Sequence, residues 1–234
     1  MVKFSHPKIG VWSLIDSFHV LEVLLESEID FIVFDFEHGF WRREQLATAV
    51  SLCKNSGKNA VVRIPNPSQE WIQLAFDSCC DIIQIAGVNS QSEIDKISTL
   101  LKHPPLGTLG FSPWTPRGLK EINSPKLFPK ISIQIEDVDL LKSFTVGKLK
   151  LFSELSSVFI GRYDLSVSMK CPGKIDDIEI MNLIKLACLK SLELKISLGT
   201  VSNSLSDSVI LQDIGVDFIS LGSDIQRLSN ENRN

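Results

Sequence analysis

The feature that most constrains the fold is a regular alternation between short β-branched runs and amphipathic helical segments. Strand patterns occur at 9–14, 29–36, 60–64, 82–85, 130–135, 157–160, 195–198 and 217–221. Apolar residues recur at helical spacing between them, as at 18–26, 41–55, 90–101, 178–192 and 204–214. Eight strand and helix units of about thirty residues each are what a closed barrel requires. The sequence therefore predicts an α/β chain that forms a (β/α)₈ TIM barrel.

An open, doubly wound sheet also alternates strands and helices and is the main alternative. That architecture usually places a glycine-rich phosphate loop after its first strand. No G-x-G-x-x-G or G-x-x-x-x-G-K-[ST] motif occurs there. Polar residues instead follow one predicted strand after another, which favours a barrel whose strand ends all open onto one face.

The length of the chain and one proline-rich segment define the domain organisation. A chain of 234 residues, 44% of them hydrophobic, can bury one sizeable core, so we expect a single barrel domain over 1–234. The segment 103–129 holds most of the ten prolines and cannot be one regular helix or strand. Because the alternation resumes after it, we interpret this segment as a functional loop or lid within the domain.

Composition excludes several classes of partner. The net charge is -4 and the lysines and arginines are scattered, which argues against nucleic acid and against an anionic membrane surface. The apolar runs are too short to span a bilayer, and no signal-peptide pattern is present. The five cysteines lack metal-ligand spacing, and we expect them to be reduced. The expected setting is the cytoplasm, with a small soluble molecule as partner.

Charged residues stand where several predicted strands end. Glu136 and Asp164 follow the fifth and sixth strands, His38 follows the second, and Arg63 lies near the end of the third. The strands of such a barrel are parallel, so these side chains would lie together in one pocket at the C-terminal ends of the strands. Two carboxylates without a third protein ligand suit Mg²⁺ or Mn²⁺. A single acid at a strand end is equally typical of a helix cap.

Six short blocks occur in an order that resembles a known family. They are 35–39 (DFEHG), 62–65 (VRIP), 74–77 (LAFD), 103–107 (HPPLG), 134–136 (QIE) and 159–166 (FIGRYDLS). Together they resemble the HpcH/HpaI aldolase and citrate lyase family, which includes metal-dependent pyruvate aldolases acting on 4-hydroxy-2-oxo acids and 2-dehydro-3-deoxy sugar acids. The resemblance runs from Gly10 to Asp224 and implies a (β/α)₈ barrel of the phosphoenolpyruvate/pyruvate type.

The resemblance also implies roles for individual residues. Glu136 and Asp164 would hold the divalent ion, which is Mg²⁺, Mn²⁺ or Co²⁺, and pyruvate would chelate that ion. Arg63 would donate hydrogen bonds to the keto oxygen or carboxylate. His38 would be the general base, and Asp77 the acid that orients it. The other expected contributors are Gln134, Arg162, Tyr163 and Asp164, which would bind substrate, and Asp35 and Glu37, which would support the site.

The activity implied by the resemblance is a metal-dependent carbon-carbon lyase. It would cleave a 4-hydroxy-2-oxo acid reversibly to pyruvate and an aldehyde, in a homo-oligomer of trimer or hexamer type. One alternative is an acyl-CoA lyase of the same superfamily, although no basic cluster for its adenine and phosphates is evident. Another is a catalytically lapsed barrel that binds a keto acid without turning it over.

The chain departs from the family pattern at positions expected to line the pocket. Cys79 and Lys170 stand where members usually have glycine, Ala86 where they have proline, and Leu109 where they have arginine. The predicted metal ligands and base are intact. These departures therefore leave the substrate open and motivate the lapsed-barrel alternative.

Overall fold

A closed barrel forms the centre of the molecule. The computed structural model describes residues 7–123 and 128–230, and its strands pair in parallel in chain order, with β8 closing onto β1. The strands are β1 (Lys8–Ser13), β2 (Phe31–Asp35), β3 (Asn59–Ile64), β4 (Ile82–Ile85), β5 (Lys130–Ile135), β6 (Leu155–Ile160), β7 (Ser197–Ser202) and β8 (Phe218–Ser223). The predicted (β/α)₈ barrel is confirmed, and the open doubly wound sheet is excluded.

Helices follow the strands on the outside of the barrel. They are α1 (Phe18–Leu25), α2 (Arg43–Asn55), α3 (Gln69–Asp77), α4 (Gln91–Leu100), α5 (Pro116–Asn123), α6 (Val138–Thr145), α7 (Arg162–Ser168), α8 (Ile178–Leu194), α9 (Leu205–Asp213) and α10 (Asp224–Asn230). Several begin at a serine that accepts a backbone hydrogen bond from the first turn, as Ser68 does from Trp71. No helix in the described residues is long and apolar enough to cross a membrane.

The apolar residues form two separate cores. The larger core lies between the strands and the helices, and the smaller one, which includes Phe31 and Phe159, fills the interior. Gly10 pairs in register with Phe31, and Gly199 pairs with Phe218. A β-carbon would lie 2.2 Å from the Phe31 ring if it were added to Gly10, and 2.1 Å from the Phe218 ring if it were added to Gly199. The rings therefore fold over the glycines and close the interior. Polar side chains are left to the C-terminal strand ends.

The described part of the proline-rich segment packs against α3. Both ring nitrogens of its His103 make hydrogen bonds. Nδ1 lies 2.8 Å from the Leu109 carbonyl oxygen, and Nε2 lies 2.8 Å from Glu121 Oε1 of α5. The Gly110 N–H donates to Gln73 Oε1 of α3 at 2.8 Å. Residues 124–127 of the segment lie outside the described residues. The role of this segment as a functional loop or lid stays a prediction.

Short helices were the main elements that the sequence pattern missed. Helix α6 ends at Thr145, and Gly147 follows it with φ +72. The stretch after β6 begins at once with α7, and Gly161 is its N-cap. Asp164 therefore lies in the first turn of a helix, so its position relative to β6 is fixed.

Candidate metal and keto-acid site

A buried ion pair joins the ends of β2 and β3. Asp35 and Arg63 are partners in the sheet register, and both side chains are buried. Arg63 Nε donates to Asp35 Oδ1 at 2.8 Å and Nη2 donates to Oδ2 at 2.5 Å. The guanidinium carbon lies 4.2 Å from the centre of the Trp12 ring. This bidentate pair with a ring behind it fixes the direction of Arg63.

The same aspartate holds the loop that follows β2. Asp35 Oδ1 accepts the backbone N–H of Glu37 at 2.9 Å and that of His38 at 3.3 Å. Glu37 Oε2 lies 2.9 Å from Arg63 Nη1, but no N–H points at this buried oxygen, which accepts no hydrogen bond from the described residues. Burial raises the pKa of Glu37, and the charge of Arg63 opposes that effect. Asp35 and Glu37 both contact Arg63, and their supporting role in the site stays a prediction.

Glu136 is held on two sides, directly after β5. Gln134 Nε2 donates to Glu136 Oε1 at 2.5 Å, and Gln84 Nε2 of β4 donates to Gln134 Oε1 at 2.5 Å. On the other side lies Gly161, where a β-carbon would be 2.7 Å from Glu136 Cγ. The missing side chain of Gly161 therefore makes room for the carboxylate.

Carboxylates are crowded around Glu136. The pKa of Glu136 is raised to about 7: burial raises it most, the Gln134 hydrogen bond lowers it, and the charges of Glu37 and Asp164 and a hydrogen bond with Asp164 also raise it. Glu136 and Asp164 thus lie at hydrogen-bonding distance from each other. This is the meeting of the fifth and sixth strand ends that the sequence predicts.

The donor set fits a divalent cation of the Mg²⁺ or Mn²⁺ type. Two adjacent carboxylates, with a third nearby, would be relieved of mutual repulsion by a bound cation. No group of three or more His, Cys, Asp or Glu side chains within 7–123 and 128–230 has the arrangement of a metal site. A cation held by Glu136 and Asp164 would therefore take its other ligands from water or substrate.

Exposed side chains surround this cluster. His38 is exposed beside Glu37. A positive charge on His38 lowers the pKa of Glu37. Tyr163 is 47% exposed and precedes Asp164, which is also exposed, in the first turn of α7. All three lie at the C-terminal face, where a ligand can enter.

Asp77 lies elsewhere within the chain. It is the last residue of α3, and that helix runs back from the C-terminal ends of the strands toward their N-terminal ends. Its carboxylate accepts a hydrogen bond from Gln73 Nε2 at 2.9 Å, and its charge acts on Arg117. Within one chain, Asp77 does not lie beside His38. The structure therefore gives no support to the orienting role expected of Asp77.

Arg162 is a correction to the predicted substrate-binding set. Its side chain is wholly buried, and Nη1 and Nη2 pair with the two carboxylate oxygens of Asp207 at 2.7 and 3.1 Å. Nε and Nη2 also donate to the Ile175 carbonyl, and Nη1 to that of Val201. The guanidinium is occupied by these contacts beneath α8 and α9, so it cannot reach a ligand.

Two of the departures from the family pattern have a structural explanation. Cys79 and Lys170 have φ +63 and +60, two residues beyond the last residues of α3 and α7. Glycine is common at this position because it adopts a left-handed conformation without strain. Leu109 is fully buried next to the backbone of Lys102. These three residues do not line the strand-end cluster of this chain.

Other residues of the site were missed by the sequence analysis. Trp12, Gln84 and Gly161 each contact or make room for a predicted residue, and only Gln84 carried a signal, as a polar residue within an apolar strand. Asp224 is also buried, and its Oδ2 accepts the N–H groups of Leu14 and Ile15 at 2.8 and 2.9 Å. It fixes the loop after β1 to the end of β8.

Comparison with known proteins identifies the family. The sequence profile of the HpcH/HpaI aldolase/citrate lyase family matches residues 8–231. The chain belongs to this family. Two similar relatives are hydroxypyruvate/pyruvate aldolases. That of Agrobacterium fabrum is 21% identical over 230 residues, covering 96% of this chain and 86% of the relative. That of Roseovarius nubinhibens is 22% identical over 232 residues, covering 94% and 88%.

Two solved structures share the fold. An HpcH/HpaI aldolase from Desulfitobacterium hafniense superposes with a TM-score of 0.81 at 20% identity, over 97% of this chain and 90% of that one. The citrate synthase SbnG gives a TM-score of 0.82 at 20% identity, over 97% and 90%. At such identities the likeness establishes the (β/α)₈ architecture and not the reaction.

The Arg162 and Asp207 pair provides a stability test. Asp207→Ala leaves a buried guanidinium without its carboxylate, so we expect the free energy of unfolding to fall by about 3 kcal/mol. The double variant Arg162→Met with Asp207→Leu removes both charges and should recover most of that loss. Urea denaturation measures both values. Unchanged stability in Asp207→Ala would contradict a structural role for the pair.

The crowding at Glu136 provides a pH test in metal-free protein. The pKa of Glu136 is raised from 4.5 to about 7 in the folded chain. The contribution of this carboxyl group to the free energy of unfolding is therefore fully present below pH 4.5 and is lost as pH rises through about 7. Glu136→Gln should therefore be more stable than the parent by about 1 to 2 kcal/mol at about pH 8, and close to it at about pH 5. Denaturation in the presence of EDTA measures this, with the exposed Glu26→Gln as control. The same difference at both pH values would contradict the crowding.

Proposed function

We propose that this chain is a divalent-metal-dependent aldolase, which cleaves a 4-hydroxy-2-oxo acid reversibly into pyruvate and an aldehyde. The observation that carries the proposal is the meeting of Glu136 and Asp164 at hydrogen-bonding distance, with Arg63 joined to the same cluster through Glu37. Membership of the HpcH/HpaI family supports lyase chemistry. The names of the relatives support pyruvate as the keto-acid product.

Glu136 and Asp164 would hold the ion, which we expect to be Mg²⁺, Mn²⁺ or Co²⁺. When bound, such an ion polarises the keto oxygen and stabilises the negative charge that develops as the C3–C4 bond breaks. Gln134 holds the Glu136 carboxylate by donating from Nε2 to Oε1. A ligand can approach from the exposed side of Asp164.

Arg63 would bind the keto acid with donors that its structural contacts leave available. A guanidinium has five N–H groups, and Asp35 accepts from Nε and from one hydrogen of Nη2. The remaining N–H groups on Nη1 and Nη2 can donate to a carboxylate or keto oxygen. Because Asp35 and Trp12 already fix the side chain, little reorganisation is needed when charge develops on that oxygen.

His38 would move the proton of the C4 hydroxyl. In the cleavage direction it would accept this proton as the C3–C4 bond breaks to give the aldehyde and the enolate of pyruvate, whose C3 then takes up a proton to give pyruvate. In the synthetic direction His38 would return the proton to the C4 oxygen. An imidazole suits this task near neutral pH. Asp35 Oδ1 accepts the backbone N–H of His38 and so fixes that backbone. The exposed side chain of His38 can turn toward a ligand. This role requires no contribution from Asp77.

A pyruvate-release assay tests the proposal. Purified full chain would be stripped of metal, reloaded with Mn²⁺, and incubated with a panel of 4-hydroxy-2-oxo acids, with pyruvate measured by a coupled dehydrogenase. We expect release that requires Mn²⁺ and that falls at least about 100-fold in Glu136→Gln. The matched variant Glu26→Gln, at an exposed position directly after α1, should retain full activity. Equal release in EDTA or in Glu136→Gln would remove the proposal.

The lapsed-barrel alternative predicts a different result in the same samples. Calorimetry with pyruvate and Mn²⁺ would then show binding, while the panel would yield no pyruvate. Ala86, where the family has proline, is the departure that still favours this alternative, because Cys79, Lys170 and Leu109 lie away from the cluster. Binding together with turnover would remove it.

A further inference from the structure

Gln84 is the polar side chain that the proposed reaction leaves unexplained. It is the third residue of β4, whose other residues are all isoleucines, and its side chain is 2% exposed. It pairs in register with Arg63 of β3 and Ser132 of β5. Ile82, two residues earlier, packs in the interior apolar cluster, so Gln84 also points into the barrel. A glutamine in that position needs hydrogen-bond partners.

The partners of Gln84 form a directed chain. Gln84 Nε2 donates to Gln134 Oε1 and Gln134 Nε2 donates to Glu136 Oε1, both at 2.5 Å. An ionised carboxylate only accepts hydrogen bonds, so Gln134 must present its amide nitrogen to Glu136. The carbonyl oxygen of Gln134 then faces β4, where it needs a donor. Gln84 supplies that donor.

We propose that Gln84 is a positioning residue for the candidate cation site. By donating to Gln134, it holds that amide in the orientation that donates to Glu136, and so sets the direction of the Glu136 carboxylate. The inference rests on the proposed function, because it concerns the ion that Glu136 and Asp164 would hold. Residues that orient ligands from behind usually change metal affinity by about 10 to 100-fold when they are replaced.

An apolar side chain at position 84 would remove the donor. In Gln84→Leu, the Gln134 oxygen would be buried without a partner, or the amide would turn over and face Glu136 with its oxygen. Either outcome weakens the hold on Glu136. The carboxylate would gain rotational freedom on the side opposite Gly161, and the cation site would be less well ordered.

Mn²⁺ affinity tests this inference without relying on activity. Electron paramagnetic resonance titration of the metal-free full chain measures the free Mn²⁺, for the parent, Gln84→Leu, Gln134→Leu and the double variant. We expect Gln84→Leu to weaken binding at least about 10-fold. If Gln84 acts through Gln134, the double variant should bind no more weakly than Gln134→Leu alone.

Ser132→Ala is the matched control. Ser132 is the register partner of Gln84 and is equally buried, and its hydroxyl has no hydrogen-bond partner among the described residues. Removing that hydroxyl should therefore leave Mn²⁺ affinity unchanged. Equal losses in Ser132→Ala and Gln84→Leu would indicate general disturbance of the interior and overturn the inference. Calorimetric melting in EDTA monitors folding. Gln84→Met, of similar length and without a donor, replaces Gln84→Leu if the latter does not fold.

The remaining outcomes separate this inference from the proposed function. Parent affinity in Gln84→Leu, or a Gln84→Leu effect that persists undiminished in the Gln134→Leu background, overturns the positioning role while the aldolase proposal stands. A parent chain that binds no Mn²⁺ overturns the aldolase proposal itself.

Discussion

The ion pair between Asp35 and Arg63 is the interaction on which the rest of the site depends. Arginine remains charged in the barrel interior, so it must be paired there, and Asp35 meets it with both carboxylate oxygens. The same carboxylate also accepts the N–H groups that begin the loop with Glu37 and His38. One aspartate therefore fixes a cation for the substrate and the backbone of the expected base.

The barrel divides its interior between packing and chemistry. Phenylalanine rings folded over glycines fill one end, while Arg63, Gln84, Gln134 and Glu136 occupy the other. Burial and neighbouring carboxylates make it costly to ionise a carboxyl group in such a place, as the raised pKa of Glu136 shows. A divalent cation is the natural counterion for that arrangement. The crowding of acids and the proposed chemistry thus have the same physical origin.

Much of the fold and the strand-end cluster could be predicted because both follow from local patterns. Strand runs that stop at a charged residue predict where Asp35, Glu136 and Asp164 lie, since parallel strands end on one face. The short helices α5 and α7 were missed because proline, glycine and polar residues mask helical spacing over so few residues. Arg162 was misassigned because sequence cannot tell a charged residue that enters a pocket from one that pairs with a distant acid such as Asp207. The glycine replacements at Cys79 and Lys170 concern backbone conformation, which a comparison of pocket residues does not reveal.

The central claim is that Glu136 and Asp164 share one divalent ion. The most direct measurement is anomalous diffraction from crystals grown with Mn²⁺ and pyruvate. The account predicts one strong manganese peak between these two carboxylates, with pyruvate density beside it and within reach of Arg63. Manganese bound elsewhere, or a hydrogen bond between the two carboxyl groups that persists with no peak there, would contradict it.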